Sequence, residues 1–413
     1  MNRSNSRSGG ANLPALRHHN ASLVLDLLRV AGEQGISRLE LAERTGLTPQ
    51  AVSKITARLR TEGLAAEAGR LASTGGKPRT VLRLVPDAGY AVGLHLDRDE
   101  LTAVLVDLAG TPVATRTAPL DLGAPAAEVL TTAAHAVQTV RADAAHAEDR
   151  PVLGVGAALP GPLDHRSGVL HRVTGFPGWN GYPLRDALAE RIGMPVVVDK
   201  DTNAAALGLA LRERGDADFA YLHLGTGLGA GLVLGGALHR GARTGAGEFG
   251  HQTLQLDGPR CGCGGRGCIE ALCLAAAARG DIAEAARVLG AGAANLVGLL
   301  DIDRVVLGGR TVAADEDAYV DGVRAVIEER ARREGAVVPV PVTVAGGGDL
   351  PVAEGAAQLV LAPLFGRAGE GGDQDPGEGG RCGEEAVGGE DRAGGQGRGE
   401  RATGAERGRS SGS

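Results

Sequence analysis

The stretch from Gly245 to Glu270, GAGEFGHQTLQLDGPRCGCGGRGCIE, gathers His251, Cys261, Cys263 and Cys268 into one short segment, with the carboxylates Glu248 and Glu270 flanking it. Three thiolates and one imidazole are a donor set that zinc prefers, and glycines at 262, 264, 265 and 267 let the backbone bend sharply between them. Four protein ligands close a tetrahedron and leave no position for an activated water. The spacing therefore predicts a structural Zn2+ beside a polar pocket rather than a catalytic metal. The competing reading, buried or disulfide-bonded cysteines, fits less well with a tight CxCxxxxC run preceded by a histidine. Cys273, in an apolar run, reads as a small buried hydrophobe, and Cys382 falls in a tail of glycine and charged residues.

A chain of 413 residues with 43% hydrophobic content predicts two or three domains with real cores. No run of about 18 apolar residues is evident and the N-terminus is polar, so the expectation is a cytoplasmic protein with no membrane partner. Five cysteines, three of them assigned to a metal, fit a reducing compartment. Charge is uneven. Residues 1–80 carry twelve Lys or Arg against six Asp or Glu, whereas the whole chain stands at −7, so the remainder carries −13. A basic N-terminal segment on an acidic body points to nucleic acid as the partner of that segment alone.

Residues 1–15 are rich in Ser, Asn, Arg and Gly and are expected to be disordered. Helical periodicity begins near Asn20, with Leu23, Leu25, Leu27 and Leu28 as its apolar face. In Ser37 to Leu64, Leu39, Leu41 and Ala42 suit a short packing helix, Gly46 a tight turn, and Thr48 the cap of a second helix that starts at Pro49. Val52, Ile55 and Leu59 would point inward, which leaves Gln50, Ser53, Lys54 and Arg58 facing a DNA major groove. Two strand-like runs, Ala65 to Leu71 and Val81 to Val85, flank the loop STGGKPR, so Lys77 and Arg79 would lie on a wing against phosphates or the minor groove. Residues 16–86 are thus expected to form an α+β winged helix-turn-helix. A helical adaptor with a solvated charged face is the alternative reading.

From about Gly89 strands, glycine turns and helices alternate. YAVGLHL, LTAVLVDL and PVATRTAPL read as three strands, followed by a helix, the strand VLGVGAAL, another helix and PVVVDK running into a further helix. FAYLHLG and GAGLVLGG open a second, similar set. Two related α/β lobes follow, 87–205 and 206–365, with a ligand cleft between them. The tail 366–413 lacks apolar periodicity and is expected to be disordered.

GVGAALPGPLD, the segment from GFPGWN to DKDTNAAALG, LHLGTGLGAGLVLGG and CGCGGRGCIE together resemble the ROK family of repressors and sugar kinases. The resemblance spans about residues 15–365 and implies the two-lobed fold of the actin and hexokinase superfamily. It implies Asp201 as the general base of any kinase activity, and Asn180, Asp201, Glu248, His251 and Glu270 as sugar-binding residues. Gly225, Thr226, Gly227 and Gly229 match the family's second phosphate turn, and Gly308 and Gly309 match the turn against the nucleotide base. Glycine turns between strands are common, so both remain equally readable as turns without a ligand.

Three departures from the family pattern carry weight. The glycine-rich first phosphate loop is replaced by Gly93-Leu94-His95-Leu96-Asp97-Arg98-Asp99-Glu100-Leu101, whose side chains and acidic charge oppose ATP. Lys200 precedes Asp201 where a sugar-binding asparagine is usual. Lysine donates but cannot accept, so the ligand is expected to differ from a plain hexose or the pocket to be impaired. The segment after Glu270 is also shorter than usual. The resulting expectation is a sugar-responsive transcriptional repressor, dimeric on operator DNA, whose cleft takes a sugar or sugar phosphate. The alternatives are an ATP-dependent sugar kinase with an added DNA-binding domain, and a DNA-binding protein with a vestigial pocket.

Overall fold

The N-terminal module is built from α1 (Leu13–Ala31), β1 (Ile36–Ser37), α2 (Arg38–Thr45), α3 (Pro49–Thr61), β2 (Ala65–Leu71) and β3 (Arg79–Leu84), with the strands ordered β1-β3-β2. The structure is a computed structural model that describes residues 13–71, 79–144, 150–212, 217–335, 338–348 and 350–367. Helix α1 starts at Leu13, earlier than the periodicity near Asn20 indicates, and so takes in the end of the segment 1–15 expected to be disordered. Its buried face is Val24, Leu25 and Leu28, whereas Leu23 and Leu27 are only half-buried at its margins.

Local chemistry fixes the next two helices. Ser37 Oγ accepts from Glu40 N while the Glu40 carboxylate accepts from Ser37 N, a reciprocal cap that starts α2. Gly46 ends α2 at φ 68, a left-handed conformation that glycine adopts without strain. Thr48 caps α3 and Pro49 occupies its first turn. Leu41 and Ala42 are buried, but Leu39 is 43% exposed, which corrects its assignment to the packing face. Val52 and Leu59 are buried and Ile55 half-buried, as their spacing predicts. Thr56 is buried as well, its hydroxyl donating back to Val52 O at 2.8 Å, and apolar spacing gives no sign of it.

Two sheets of matching topology follow. The first lobe runs β4 (Tyr90–Leu96), β5 (Glu100–Asp107), β6 (Pro112–Pro119), α4 (Ala126–Ala142), β7 (Val152–Leu159), the short pair β8 (Leu163–Asp164) and β9 (Val169–Leu170), α5 (Leu184–Ile192), β10 (Val196–Lys200) and α6 (Asp201–Arg212). The second runs β11 (Phe219–Leu224), β12 (Leu228–Leu234), β13 (Ala237–Leu238), α7 (Ile269–Ala278), α8 (Ile282–Leu300), β14 (Arg304–Gly308), α9 (Arg310–Ala313), α10 (Glu316–Glu334), β15 (Val342–Val344) and α11 (Leu350–Leu361). Strand orders are β10-β7-β4-β5-β6 and β13-β12-β11-β14-β15. Each lobe thus opens on an antiparallel meander and adds two parallel strands on the first strand's other side. The continuous apolar runs of β4, β5 and β11 are explained by burial on both faces.

Two sequence boundaries are corrected. Helix α6 is continuous from Asp201 to Arg212, so a division at 205 and 206 cuts through it. Helix α11, counted with the second lobe, lies on the first: its Ala353, Ala357 and Leu361, with Phe365 just beyond it, share a core with α1, Ala91, Val104 and Val106. The approach is close because β4 and β7 carry glycine there. A Cβ on Gly93 would stand 1.9 Å from Ala353 O, and one on Gly156 1.8 Å from Ala356 O. Helix α8 is long and apolar enough to cross a membrane by length and composition, contrary to the expectation that no such run exists. Its Ala285, Ala286, Leu289 and Ala293 are buried in the second-lobe core with residues of α7 and α10.

Candidate functional site

A cavity between the lobes brings together most of the expected pocket residues: Asp201, Thr226, Gly227, Gly229, Glu248, His251 and Glu270 all line it. Asp201 arrives as the first residue of α6, where β10 passes into the helix, and its Oδ1 accepts from Thr202 N at 2.6 Å. His251 ends the short helical turn Phe249–His251, Glu248 directly precedes that turn, and Glu270 comes from the first turn of α7. The buried Glu270 accepts from Leu228 N at 3.0 Å through Oε2, which ties the glycine turn between β11 and β12 to the cysteine loop. Carboxylates from three separate elements thus converge, a pattern suited to neighbouring hydroxyls. Asn180 stays outside: it is exposed and lines an adjoining pocket that also touches Glu248 and His251. Gly225 sits at the foot of its turn, its N–H donating to Gly227 O and its carbonyl accepting from Thr311 Oγ1.

Lys200 does not present a free ammonium to the cavity. It is buried, and its Nζ donates to Glu248 Oε1 at 3.1 Å and to Ala246 O. Of the three pocket carboxylates, Glu248 is thus paired with a cation of the protein itself. Asp199, one residue earlier, is 1% exposed and accepts from Lys200 N, Asn203 Nδ2 and, at 2.6 Å, Arg240 Nε of the second lobe. Arg98 also lines the cavity, its guanidinium carbon 5.6 Å from the Phe176 ring centroid. Sequence reasoning missed Arg98 as a lining residue and the buried Asp199–Arg240 pair that lies next to Lys200 in the chain. Only the replacement of the first phosphate loop drew attention to Arg98.

That replacement has a definite structure. Asp97, on the turn after β4, accepts from Thr226 Oγ1 and from Arg310 Nη2, each at 2.9 Å, and Arg310 also pairs with Asp99. An acidic side chain of the first lobe thus rests on the second lobe's glycine turn. Gly308 and Gly309 are explained without a nucleotide: a Cβ at Gly308 would come 2.4 Å from Tyr221 Oη, and at Gly309, with φ +94, 2.5 Å from Leu224 O.

His251, Cys261, Cys263 and Cys268 place one donor atom each within 4.8 Å of all the others. Cys261 Sγ lies 3.7 Å from His251 Nδ1, and Cys263 Sγ 3.7 Å from Cys268 Sγ. A tetrahedron with metal–sulfur bonds of about 2.3 Å has edges near 3.8 Å, so this donor set fits one tetrahedral cation. Burial raises the Cys261 and Cys268 thiols, while the Gly265 N–H on Cys263 Sγ lowers that thiol. His251 meets the cluster through Nδ1, which turns the other edge of the ring away from it.

The ROK family profile matches residues 91–284 and 275–362. The chain belongs to the ROK family. A solved ROK family transcriptional regulator, described as a homologue of the Escherichia coli MLC protein, has a TM-score of 0.68, covers 85% of this chain and 98% of its own, and is 22% identical, a likeness of fold. The ROK glucokinase from Streptomyces griseus, solved with glucose and AMPPNP, has a TM-score of 0.56 at 28% identity, over 66% of this chain and 99% of its own. The xylose repressor of Bacillus subtilis is 30% identical over 239 residues, 57% of this chain. The match spans 61% of that repressor's length. This ROK chain carries a helical module ahead of the family domain. On α3 of that module Gln50, Ser53, Lys54 and Arg58 are all exposed, as is its cap Thr48. Arg79 opens β3, and Lys77 lies outside the described residues.

Proposed function

We propose that this ROK chain is a sugar-responsive DNA-binding transcriptional regulator, a repressor of carbohydrate uptake or catabolism genes that works in the cytoplasm as a homodimer. The observation that carries this reading is a module with a capped, polar-faced helix α3 joined to a ROK domain whose glycine turn at Thr226 is engaged by Asp97. In this reading α3 lies in the major groove with Gln50, Ser53, Lys54 and Arg58 toward the bases, while Thr48, Lys77 and Arg79 contact the backbone. The strands β2 and β3 carry the wing. Asp201, Glu270, His251 and Glu248 bind hydroxyls of a sugar or sugar phosphate, with Asn180 at the rim. The cysteine cluster holds a structural Zn2+, which would fix the loop that presents Glu248, His251 and Glu270; it supplies geometry and no chemistry to the ligand. Repression is relieved when the sugar binds the DNA-releasing state more tightly than the DNA-bound one.

Selection of bound duplexes from a random pool, repeated with D-xylose, D-glucose and N-acetyl-D-glucosamine, tests the proposal. A selected motif whose binding one sugar weakens supports it; no enriched motif refutes it. An ATP-dependent sugar kinase remains the second reading, because Asp201 and the glycine turn line one cavity. ADP release that depends on sugar and is abolished in Asp201→Asn would establish that reading instead.

A further inference from the structure

Helix α6 begins in the cavity at Asp201 and, after twelve residues or about 18 Å, ends beside the N-terminal module. At that end Arg29 of α1 donates through Nη1 to Leu211 O at 3.3 Å, meeting one of the last carbonyls of α6, where a cation is favoured. The same guanidinium pairs with Asp26 at 2.7 Å and lies 4.9 Å from the Phe365 ring centroid. Asp26 also pairs with Arg367 at 3.0 Å. Phe365 and Arg367 belong to the segment that follows α11.

Helices α6 and α11 are packed backbone to backbone. A Cβ at Gly208 would stand 2.9 Å from Gly355 Cα, and one at Gly355 1.9 Å from Ala204 O, while Arg212, the last residue of α6, pairs with Glu354 of α11. Contact this close leaves little room for one helix to slide without the other. The first residue of α6 faces the ligand cavity, and the distal ends of both helices converge on Asp26 and Arg29 of one helix in the module.

We infer that Arg29 is the positioning residue that couples the cleft to the DNA-binding module, with the α6–α11 pair as the rigid element between them. The inference rests on the functional reading above. A ligand that moves the N-terminus of α6 shifts Leu211 and, through α11, Phe365 and Arg367. Arg29 and Asp26 convert that shift into a reorientation of α1, which packs with α2, α3 and β3 in one core.

The full chain is used, with a duplex taken from the selection above. Calorimetry follows the binding of D-xylose, D-glucose or N-acetyl-D-glucosamine, and fluorescence anisotropy follows DNA affinity with and without the sugar that binds. Arg29→Ala is expected to leave the sugar Kd and the sugar-free DNA Kd within about threefold, yet to shrink the sugar-induced change in DNA affinity by about fivefold or more. Arg29→Lys keeps the cation and loses the planar stack on Phe365, and is expected to fall between the two. If Arg29→Ala does not fold, Arg367→Ala, at a side chain that is 48% exposed, carries the same test through the second arm. An undiminished sugar-induced change in a folded variant overturns the inference. So does a wild type that binds both sugar and duplex with no change between them. A wild type that binds no sugar or no duplex refutes the functional reading itself, and the coupling role with it.

Discussion

Arg310 of the second lobe donates from Nη2 to Asp97 of the first at 2.9 Å, while Thr226 Oγ1 donates to the other oxygen of the same carboxylate. The turn after β4 faces the glycine turn between β11 and β12 across the cleft, and offers its own carboxylate to it. The contact joins the lobes through protein groups alone and sets a negative side chain on the second lobe's glycine turn.

This contact predicts a pH-dependent contribution to stability. Burial raises the Asp97 carboxyl, but His95, the Arg98 N–H, Thr226 and Arg310 outweigh it, so the group sits below the usual aspartate range. A depressed folded pKa stabilises above the unfolded value of about 3.9 and loses that contribution as pH falls through the folded value. Asp97→Asn is expected to cost about 1–2 kcal/mol at neutral pH, held to the low end by an Arg310 side chain that is 34% exposed. Urea unfolding at pH 7 and pH 3 checks this: the gap from wild type should close in acid, and a gap that is constant or widens contradicts it.

The pair between Asp199 and Arg240 is more deeply buried, with side chains 1% and 15% exposed. Removing one partner strands a charge, so Arg240→Ala is expected to lower unfolding free energy by about 3–5 kcal/mol. A loss under about 1 kcal/mol in chemical denaturation would show that water or another group takes Arg240's place.

The cysteine cluster predicts one zinc per chain by elemental analysis, absent from Cys268→Ala. Chelation is expected to weaken sugar binding in calorimetry before it weakens duplex binding, because a metal on His251 and the three cysteines would fix the loop carrying Glu248 and His251. Equal and simultaneous loss of both would assign the metal to global folding instead.

On α3, Gln50→Ala and Lys54→Ala are expected to relax sequence preference, each base contact being worth about 1–3 kcal/mol. Lys77→Ala or Arg79→Ala should reduce affinity evenly across sequences and lower the salt slope by about one. Competition binding on matched and mismatched duplexes at several salt concentrations distinguishes the two classes. A uniform loss for all four variants would remove α3 from base readout.

Much of this was legible because local rules act over a few residues. Gly46, Thr48 and Pro49 announce where α2 stops and α3 starts, and the cysteine spacing announces its own cluster, since four donors in a glycine-rich loop need little help from the rest of the chain. The repeated strand and helix order likewise gave two related sheets. The partners of Asp97, Lys200 and Asp199 were not legible: Arg310, Glu248 and Arg240 lie 213, 48 and 41 residues away, and sequence spacing carries no distance information at that range.

By itself, then, the sequence determined the main elements, the start of α3, the histidine and cysteines that cluster, and the family, because each depends on residue type within a short window. Tertiary structure alone decided that Lys200 is held by Glu248, that Asp97 rests on the second lobe's turn, that α11 crosses back to the first lobe, and that α6 runs from the cavity to Arg29. Those outcomes depend on which surfaces remain adjacent after the sheets have packed, and close backbone contacts such as Gly355 against Ala204 are settled only by packing.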